Sequence, residues 1–434
     1  MKPWLGMFVA LAMLPAALAA QTTTATTPAL ELPAEEVALP AIARMPEIQS
    51  ARAQLSRAEA DARLRNIGSH ETTLLMIPQR RTIQGGPTFN EWEADLTRGV
   101  RWPHKARLDR EIGAAGAEAA QLALADTYHA GARRLLALWT GWQRARAAVA
   151  EQHAQVAIWE RDYQAIGRRL ALGDAARRDQ VAAEAALAQA RAAALRAEAD
   201  LQVAKLALHS TFPSLPLPEH DAVAGEPAQL EGSDAHWSGL IVARSHDIGI
   251  AAALARQREA EARRARADRL PDPTVGVRVL DDLGGRERAV GLVVSIPIGV
   301  RQRSATAAAA GADALQAEAE LAVVRRDIEH DAVDRVAQMR ATHAIWIQRS
   351  QALRAAVDSA GKTERAYALG ESGLAELLMA RRSALEAALA ERGAAIDATE
   401  ALAMVRIDAH DLWHYHEGEG DDEAHNVGAA LTLP

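Results

Sequence analysis

The residues best suited to chemistry lie near the C-terminal end of the chain. His410 and His414 are four residues apart, so on a helix they would share one face, a spacing that Zn²⁺ and Cu²⁺ sites can use. Asp411 lies between them and His416 follows, and this mixture of imidazole and carboxylate suits borderline metals. His410, His414 and His416 are therefore candidate metal ligands. The alternative interpretation is a solvent-exposed tail that binds metal only weakly.

No constellation typical of an enzyme is found in the sequence. Gly284-Gly285 is not followed by the lysine and helix of a phosphate-binding loop, and no G-x-S-x-G turn occurs. The numerous acidic and histidine residues lie within long amphipathic stretches, where solvation accounts for them. The sequence thus predicts a protein that is not an enzyme and has no cofactor.

The composition favours long helices over a thick globular core. Of the 434 residues, 49% are hydrophobic but only 4% are aromatic, and much of the apolar share is alanine, a strong helix former. The formal net charge is −8 and no long basic run occurs, which argues against a nucleic-acid partner. The chain has no cysteine, so disulfides, thiolate metal sites and a thiol nucleophile are excluded.

The N-terminus has the features of a secretory signal peptide, which we assign to residues 1–20. Lys2 precedes an apolar run from Trp4 to Leu14, and Ala17-Leu18-Ala19 supplies small residues for cleavage. The alternative, an uncleaved membrane anchor, requires about 20 apolar residues, and this run is shorter. The next segment, residues 21–44, begins rich in Thr, Pro and Ala and is predicted to be flexible.

Two repeats with one plan follow: a helix, two strands, a very long helix, a glycine break and a return helix. Repeat 1 covers residues 45–210, with strands at about 73–101 and long helices at about 104–209. Its first long helical run contains no proline, and at about 1.5 Å per residue it would reach roughly 100 Å. A proline-rich linker at residues 211–235 separates the repeats.

Repeat 2 covers residues 236–416 in the same order. One helix is predicted from about Trp237 to Arg269, strands at about 274–298, and long helices at about 304–416. An acidic, histidine-containing tail at residues 417–434 completes the chain.

Three pairs of short motifs support an internal duplication. They occur in the same order, with partners about 200 residues apart, and coincidence would account for one such pair more readily than for three. The pairs are Glu47-Ile48 with Asp247-Ile248, Trp102-Pro103 with Ile296-Pro297, and Leu170-Ala171-Leu172-Gly173-Asp174 with Tyr367-Ala368-Leu369-Gly370-Glu371.

Each long helix is predicted to begin just after a strand ends. Apolar residues alternate from Val290 to Ile296, as in a strand with two unlike faces. Pro297 cannot donate to a sheet ladder and ends the strand, and Gly299 loosens the backbone before the helix. Trp102 and Pro103 occupy the corresponding junction in repeat 1.

The strand count predicts self-association. Two strands per repeat give four per chain, which are too few to close a sheet and leave exposed edges. Three chains would supply twelve strands and could close a barrel. Assemblies of two or four copies are the alternatives. Together, the long helices and the four strands of each chain predict a fold class that is mostly α with a small β part.

These motifs, in order and duplicated, resemble those of the TolC-like outer-membrane efflux family. The resemblance runs from about Met45 to Trp413. The first-half junction, from Leu96 to Arg107, resembles in particular the heavy-metal, CzcC-like branch. The motifs of the second half are Pro271-Asp272-Pro273, Ser295-Ile296-Pro297-Ile298, and Tyr367-x-x-Gly370 followed by Ala375-Glu376-Leu377-Leu378.

The resemblance implies a homotrimer with a twelve-stranded outer-membrane barrel and a long periplasmic tunnel of antiparallel helical hairpins. Such proteins are passive exit ducts of tripartite pumps or type I secretion systems. Their partners are a periplasmic adaptor, also called a membrane fusion protein, and an inner-membrane transporter such as an RND-type pump. Metal cations are the favoured cargo, with drugs as the alternative. The competing class is a soluble periplasmic coiled-coil scaffold or adaptor.

The resemblance also assigns roles near the glycine breaks. Gly173 and Gly370, followed by Asp174 and Glu371, would form periplasmic tips that contact the adaptor and narrow the pore. The acidic residues Glu376 and Asp179 would form aperture rings, with a solvated helix face as the alternative. Tyr367 matches a tyrosine that takes part in closing contacts. The family's arginine and second acidic residue are replaced by Ser372 and Met379, so the closing contacts must differ.

Overall fold

The computed structural model describes residues 32–68, 70–218 and 226–415. The predicted fold class is confirmed, since the described chain is mostly helical with one small antiparallel sheet. In chain order the elements are α1 (Glu35–Ala43), α2 (Pro46–Ile67), β1 (Thr72–Thr82), β2 (Thr88–Gly99), α3 (Pro103–Ala171), α4 (Arg177–Thr211), α5 (Asp234–Arg244), α6 (His246–Ala267), β3 (Thr274–Asp282), β4 (Glu287–Ser295), α7 (Val300–Ala368) and α8 (Leu374–Asp408).

The signal peptide, the acidic tail and His416 lie outside the described residues, so these remain predictions. Among the residues that are described, no helix combines the length and the apolar character that a membrane span requires.

Corresponding helices of the two halves have equal lengths. The helices α2 and α6 have 22 residues each, the long helices α3 and α7 have 69 each, and the return helices α4 and α8 have 35 each. At about 1.5 Å per residue, each long helix extends for roughly 100 Å. The short helices α1 and α5 stand in equivalent positions before α2 and α6. Each half therefore forms one long helical hairpin attached to one strand hairpin.

The four strands form one antiparallel sheet in the order β1-β2-β3-β4, so β1 and β4 are its two edges. Residues that are directly opposite in an antiparallel pair share a face. One face is apolar from edge to edge in its central rows and exposed to solvent in the single chain, with Leu292 on β4 87% accessible. Its central cross-strand rows are Leu74–Leu96–Val277–Leu292 and Met76–Ala94–Val279–Val290.

Ion pairs cover the opposite face of the sheet. The guanidinium of Arg278 on β3 lies 2.7 Å from the Asp95 carboxylate and 2.9 Å from the Glu93 carboxylate, both on β2. Arg81 on β1 reaches Glu91 on β2 at 3.1 Å. The sheet therefore has one apolar and one charged face, the alternation expected of a strand between two different environments.

A buried cluster near the middle of the long helices forms the main core. Trp139 and Trp142 of α3 pack there against Phe212, which follows α4, and against Ile42 of α1. Trp413, which follows α8, also belongs to this core and donates an Nε1–H hydrogen bond of 2.9 Å to the Pro33 carbonyl. The cluster thus joins both ends of the described chain to α3.

The prediction that residues 21–44 are flexible is wrong for the part that forms α1. Ala38, Ala41 and Ile42 lie on one helical face and are buried, with Ile42 0% exposed. This apolar face packs against α3, and burial of such a face stabilises even a short helix that contains Pro40. In this Thr- and Pro-rich segment, three apolar positions are too few to indicate an amphipathic helix.

Two predicted helix boundaries also differ from the structure. The helix predicted from Trp237 to Arg269 is divided at Ser245, whose Oγ accepts the Ile248 N–H at 3.4 Å and caps the start of α6. The last helix ends at Asp408 rather than near His416. His410 has a φ of +55°, outside the helical range, because the chain turns back towards the core there.

Truncation of Ile42 tests whether α1 is part of the folded core. We expect Ile42→Ala to lower the free energy of unfolding by about 2–5 kcal/mol, because it removes a fully buried side chain. Urea unfolding followed by tryptophan fluorescence measures the change. Glu36→Ala, an exposed position on the same helix, is the matched control and should change stability by less than about 0.5 kcal/mol. Equal effects of the two substitutions would contradict the assignment.

Candidate functional site

The tip of the first helical hairpin is a glycine-dependent turn. Gly173 has a φ of +80°, and its N–H donates to the Leu170 carbonyl at 3.0 Å. The Asp174 N–H donates to the Arg169 carbonyl at 2.8 Å. These two bonds form the Schellman motif, which satisfies the last carbonyls of a helix and requires a left-handed residue. The N-cap of α4 is Ala176, so Asp174 belongs to the turn and does not cap the return helix.

The tip of the second hairpin repeats this turn. Gly370 has a φ of +77°, and its N–H donates to the Tyr367 carbonyl at 3.1 Å. The Glu371 N–H donates to the Ala366 carbonyl at 2.8 Å. The two halves therefore end their long helices with the same bond pattern, and both positions require glycine for the same conformational reason.

A small apolar cluster holds the two tips together. Ile166 of α3 and Ala183 of α4 pack against Leu374 and Leu377 of α8, and all four are buried. Tyr367 packs on the edge of this cluster. The predicted tip residues of both repeats are thus neighbours within one chain.

Tyr367 connects the second hairpin to the first. Its hydroxyl accepts a hydrogen bond of 3.1 Å from the Arg169 guanidinium, and the same guanidinium lies 5.4 Å from the centre of the Tyr367 ring. Ser372 donates its Oγ–H to the Thr363 carbonyl within its own hairpin at 3.5 Å. Arg169 was not identified from sequence, because nothing local marks it out from Arg168 beside it.

A second connection between the hairpins centres on Arg381 of α8. Its guanidinium pairs with Asp162 of α3 and with Glu364 of α7, the latter at 3.0 Å. It also lies 5.9 Å from the centre of the Trp159 ring. Burial, together with the nearby Arg161, lowers the pKa of Arg381 below its usual value. Arg381 therefore connects its own helix, α8, to both long helices, α3 and α7.

The two predicted aperture residues lie in different surroundings. Glu376 is exposed in the first turn of α8, beside the buried Leu377. Asp179 is half-buried in the first turn of α4, and its carboxylate lies 3.5 Å from the Arg178 Nε. Both carboxylates are placed where the positive end of a helix favours them. Met379, one turn further along α8, is 73% exposed.

At the opposite end of the long helices, the junction of repeat 1 is fixed by contacts with repeat 2. Trp102 is the N-cap of α3 and Pro103 its first residue, a position that suits proline. The Trp102 indole N–H donates to the Pro271 carbonyl at 3.1 Å, and the Trp102 backbone N–H lies 3.4 Å from the Asp272 Oδ1. The first junction therefore packs on the loop that precedes β3.

Lys105 is the central cation of this junction. Its side chain is 0% exposed, and its Nζ lies 3.0 Å from the Asp268 carboxylate and 2.9 Å from the Asp272 carboxylate. It also donates to the Leu270 carbonyl at 2.7 Å. Burial alone would raise the pKa of Asp268, but hydrogen bonds from Arg264 and Lys105 hold that pKa below its usual value. Asp268 is therefore ionised at neutral pH.

The junction of repeat 2 meets the same loop. β4 ends at Ser295, Pro297 lies in the connection, and Gly299 is the N-cap of α7, which starts at Val300 rather than near Ser304. Arg303 donates from Nη1 to the Asp268 carbonyl at 2.8 Å. Asp268 thus contacts both junctions, through its side chain on one side and its carbonyl on the other.

Removal of the Lys105 charge tests this arrangement. We expect Lys105→Met to lower the free energy of unfolding by about 3 kcal/mol, because it leaves the Asp272 carboxylate partly buried without its cation. The urea unfolding midpoint measures the loss. Arg107→Met, on the same helix, breaks only an exposed pair with Glu111 and should have little effect. A Lys105→Met midpoint equal to that of the control would refute the structural role.

The predicted metal ligands His410 and His414 do come together, although not on a helix. Their rings stack with centroids 4.4 Å apart in the segment after α8. Two further histidines join them from distant parts of the chain. The His246 ring stacks 4.5 Å from the His410 ring, and the His129 ring lies edge-on at 5.2 Å.

Three of these histidines place a ring nitrogen close to one another. One ring nitrogen each from His129, His246 and His410 lie within 4.8 Å of one another. Asp408 accepts from the His129 Nε2 at 3.2 Å and from the Arg133 Nε at 2.8 Å. His129 and His246 were missed from sequence, because each is isolated in the chain and only the fold brings them to the C-terminal segment.

Burial keeps two of the rings neutral. Desolvation, followed by the nearby His129, lowers the pKa of His246 to about 4. Desolvation, followed by the nearby His246, lowers the pKa of His410 to about 3. Burial also raises the pKa of Asp126, and the charge of the neighbouring Asp247 carboxylate raises that pKa further. At neutral pH the His246 and His410 rings are therefore uncharged.

Comparison with known proteins relates this fold to outer-membrane channels. The structure resembles the outer membrane protein VceC of Vibrio cholerae with a TM-score of 0.72 and 17% identity, covering 86% of this chain and 95% of VceC. It resembles CusC with a TM-score of 0.71 and 16% identity, covering 88% and 92%. For the open state of the MtrE outer membrane channel of Neisseria gonorrhoeae, the TM-score is 0.68 and the identity 19%, covering 86% and 88%.

No protein-family model matches the chain, and neither does any curated protein sequence. The structural matches span nearly the whole of both partners, so the likeness concerns the complete architecture rather than one hairpin. The fold implied by the resemblance to TolC-like channels is therefore confirmed.

Proposed function

We propose that this chain is one subunit of a homotrimeric exit duct in the outer membrane. The observation that carries the proposal is the sheet, which has an apolar exposed face, a charged face and two open edges on a chain with the fold of outer-membrane channels. Three copies would bring twelve strands together and pair every edge. The apolar face would then meet lipid and the charged face would line the lumen.

The helical hairpins would extend from this barrel through the periplasm. Each of the six long helices in a trimer is about 100 Å long, so the glycine tips would lie far from the membrane. There they would meet a periplasmic adaptor, which connects the duct to an inner-membrane transporter of the RND type. The duct itself performs no chemistry, and the energy for export comes from the transporter.

Planar-bilayer recording tests the duct directly. Purified protein should insert and give discrete conductance steps of one size, because each inserted trimer provides one pore. Heat-denatured protein is the control for detergent and impurities. Folded protein that is present in the bilayer but gives no discrete steps would contradict a pore.

The contact between Arg169 and Tyr367 is proposed to help hold the tip closed. Tyr367→Phe removes the hydroxyl that accepts the Arg169 hydrogen bond but keeps the ring. A half-exposed hydrogen bond contributes about 1 kcal/mol, so the open population should rise about fivefold if opening breaks this bond. Single-channel open probability measures the effect.

The control for this substitution is Tyr163→Phe, which removes a hydroxyl from the same apolar cluster without altering the Arg169 contact. Its open probability should remain that of the wild type. Equal open probabilities for Tyr367→Phe and Tyr163→Phe would show that the hydroxyl does not latch the tip.

Glu376 is proposed to form a ring of three carboxylates around the pore axis, which would favour cations. We expect Glu376→Gln to reduce the ratio of cation to anion permeability severalfold in reversal-potential measurements across a salt gradient. Asp179→Asn should reduce it less, because Arg178 already lies 3.5 Å from that carboxylate. Unchanged selectivity in both variants would identify these residues as parts of a solvated helix face.

The favoured cargo is metal cations. This proposal rests on the first-half junction, which resembles the heavy-metal branch, and on the acidic residues at the tip. A deletion strain should lose tolerance to zinc, cobalt, cadmium, copper or silver while it keeps tolerance to dyes and detergents. Lost dye tolerance with unchanged metal tolerance would instead establish drug export, and the duct would stand.

A further inference from the structure

We propose that His129, His246 and His410 form a binding site for a divalent transition metal of the Zn²⁺ class, which joins the C-terminal segment to both halves of the chain. The inference goes beyond the export function, since this site is built into the wall of one chain. It also replaces the ligand set expected from sequence, because two of its three members come from elsewhere in the chain.

The placement of the three histidines is the first observation. His129 belongs to the long helix α3, His246 is the first residue of α6, and His410 follows the end of α8. Their ligand nitrogens lie within 4.8 Å of one another. Zinc–nitrogen bonds of about 2.0–2.1 Å would bring these atoms to about 3.3 Å apart. Side-chain rotations that move each nitrogen by roughly 1 Å would therefore complete the site.

Unpaired ring nitrogens are the second observation. His246 Nδ1 and His410 Nε2 are both inaccessible to solvent and have no hydrogen-bond partner among the described residues. Buried polar atoms are nearly always paired, and each exception requires an explanation. A metal ion bound here would use the in-plane lone pair of each atom, so the stacked His246 and His410 rings would rotate to bring both lone pairs to it.

Asp408 supplies the outer contact that metal-binding histidines usually have. Its carboxylate is 4% exposed and lies 3.2 Å from the His129 Nε2. With Nε2 hydrogen-bonded, Nδ1 is the nitrogen of this ring left for a metal. A carboxylate on the far nitrogen fixes the ring orientation and makes the ligand more basic. The same carboxylate pairs with Arg133 and Arg335, which keeps it in place.

The donor set indicates the class of metal. Three imidazoles without a thiolate or thioether favour Zn²⁺, Cu²⁺, Ni²⁺ or Co²⁺ over Cu⁺, and over the hard cations Mg²⁺ and Ca²⁺. Asp126 lies near His129, and the Arg133 and Arg244 guanidinium groups also lie near the cluster. A bound ion would tie α3, α6 and the C-terminal segment together, and would therefore stabilise the folded chain.

Zinc titration of the full-length mature protein in detergent tests the site. The protein is stripped with EDTA, freed of the chelator and titrated with ZnCl₂ against a coloured zinc indicator. We expect one equivalent per chain at micromolar or tighter affinity. His246→Gln and His410→Gln should each weaken binding at least tenfold, because each removes one ligand and keeps a polar side chain of similar size.

Two controls distinguish this cluster from other histidines. His330→Gln removes an exposed histidine that lies 3.9 Å from Asp334, and should bind zinc as the wild type does. The double substitution His416→Gln and His425→Gln, here called the tail variant, removes the two histidines that follow Tyr415 and should also leave binding unchanged. If the tail variant loses the zinc while His246→Gln keeps it, the proposed site is wrong.

X-ray absorption spectroscopy of the zinc-loaded wild type makes the test independent of variant folding. The spectrum should show about three imidazole ligands per zinc, with Zn–N distances near 2.0–2.1 Å. A shell of oxygen donors without imidazole scattering would overturn the proposal, as would a wild-type protein that binds no zinc at micromolar concentration.

Discussion

The pairing of sheet edges is the constraint on which the rest of this architecture depends. A four-stranded sheet with β1 and β4 open leaves two rows of unpaired backbone groups, and one of its faces is apolar from edge to edge. Within the residues that the structure describes, a single chain covers neither the edges nor that face, since no helix packs extensively on the sheet. Association with further copies in a lipid environment removes both costs at once, because it pairs the edges and places the apolar face against hydrocarbon.

Ion pairs and hydrogen bonds hold the start of each long helix against the loop that precedes β3. Asp268 contacts Lys105 of the first long helix through its carboxylate and Arg303 of the second through its carbonyl. Both helices are therefore anchored near their first residues to one loop, and their equal lengths carry the two glycine turns to similar distances from it. At that distance, the apolar cluster around Leu377 and the Arg169–Tyr367 contact hold the tips side by side. The duplication of the chain thus gives a rod whose two halves are joined at both ends.

Patterns that are local in sequence predicted much of this structure. Alternating apolar residues before Pro297 indicated a strand, proline-free runs indicated the long helices, and the Leu-Gly pairs at Gly173 and Gly370 indicated where those helices end. The contacts that carry the candidate sites could not be predicted in this way, because they join distant segments. Arg169 resembles any solvated arginine on a helix, and His246 resembles any helix-start residue, until the fold places each beside its partner. Helix α1 was missed because three buried positions are too few to outweigh its Thr- and Pro-rich surroundings.

The central claim is that three copies of this chain together form one membrane-embedded particle. It is tested most directly by separating the membranes of cells that produce the protein and measuring the native mass of the solubilised complex. We expect a particle of three chains, recovered from the outer-membrane fraction, whose mass does not change on dilution. A monomer in the soluble periplasmic fraction would refute a trimeric membrane particle, because such a chain would keep its sheet edges and apolar face exposed to water.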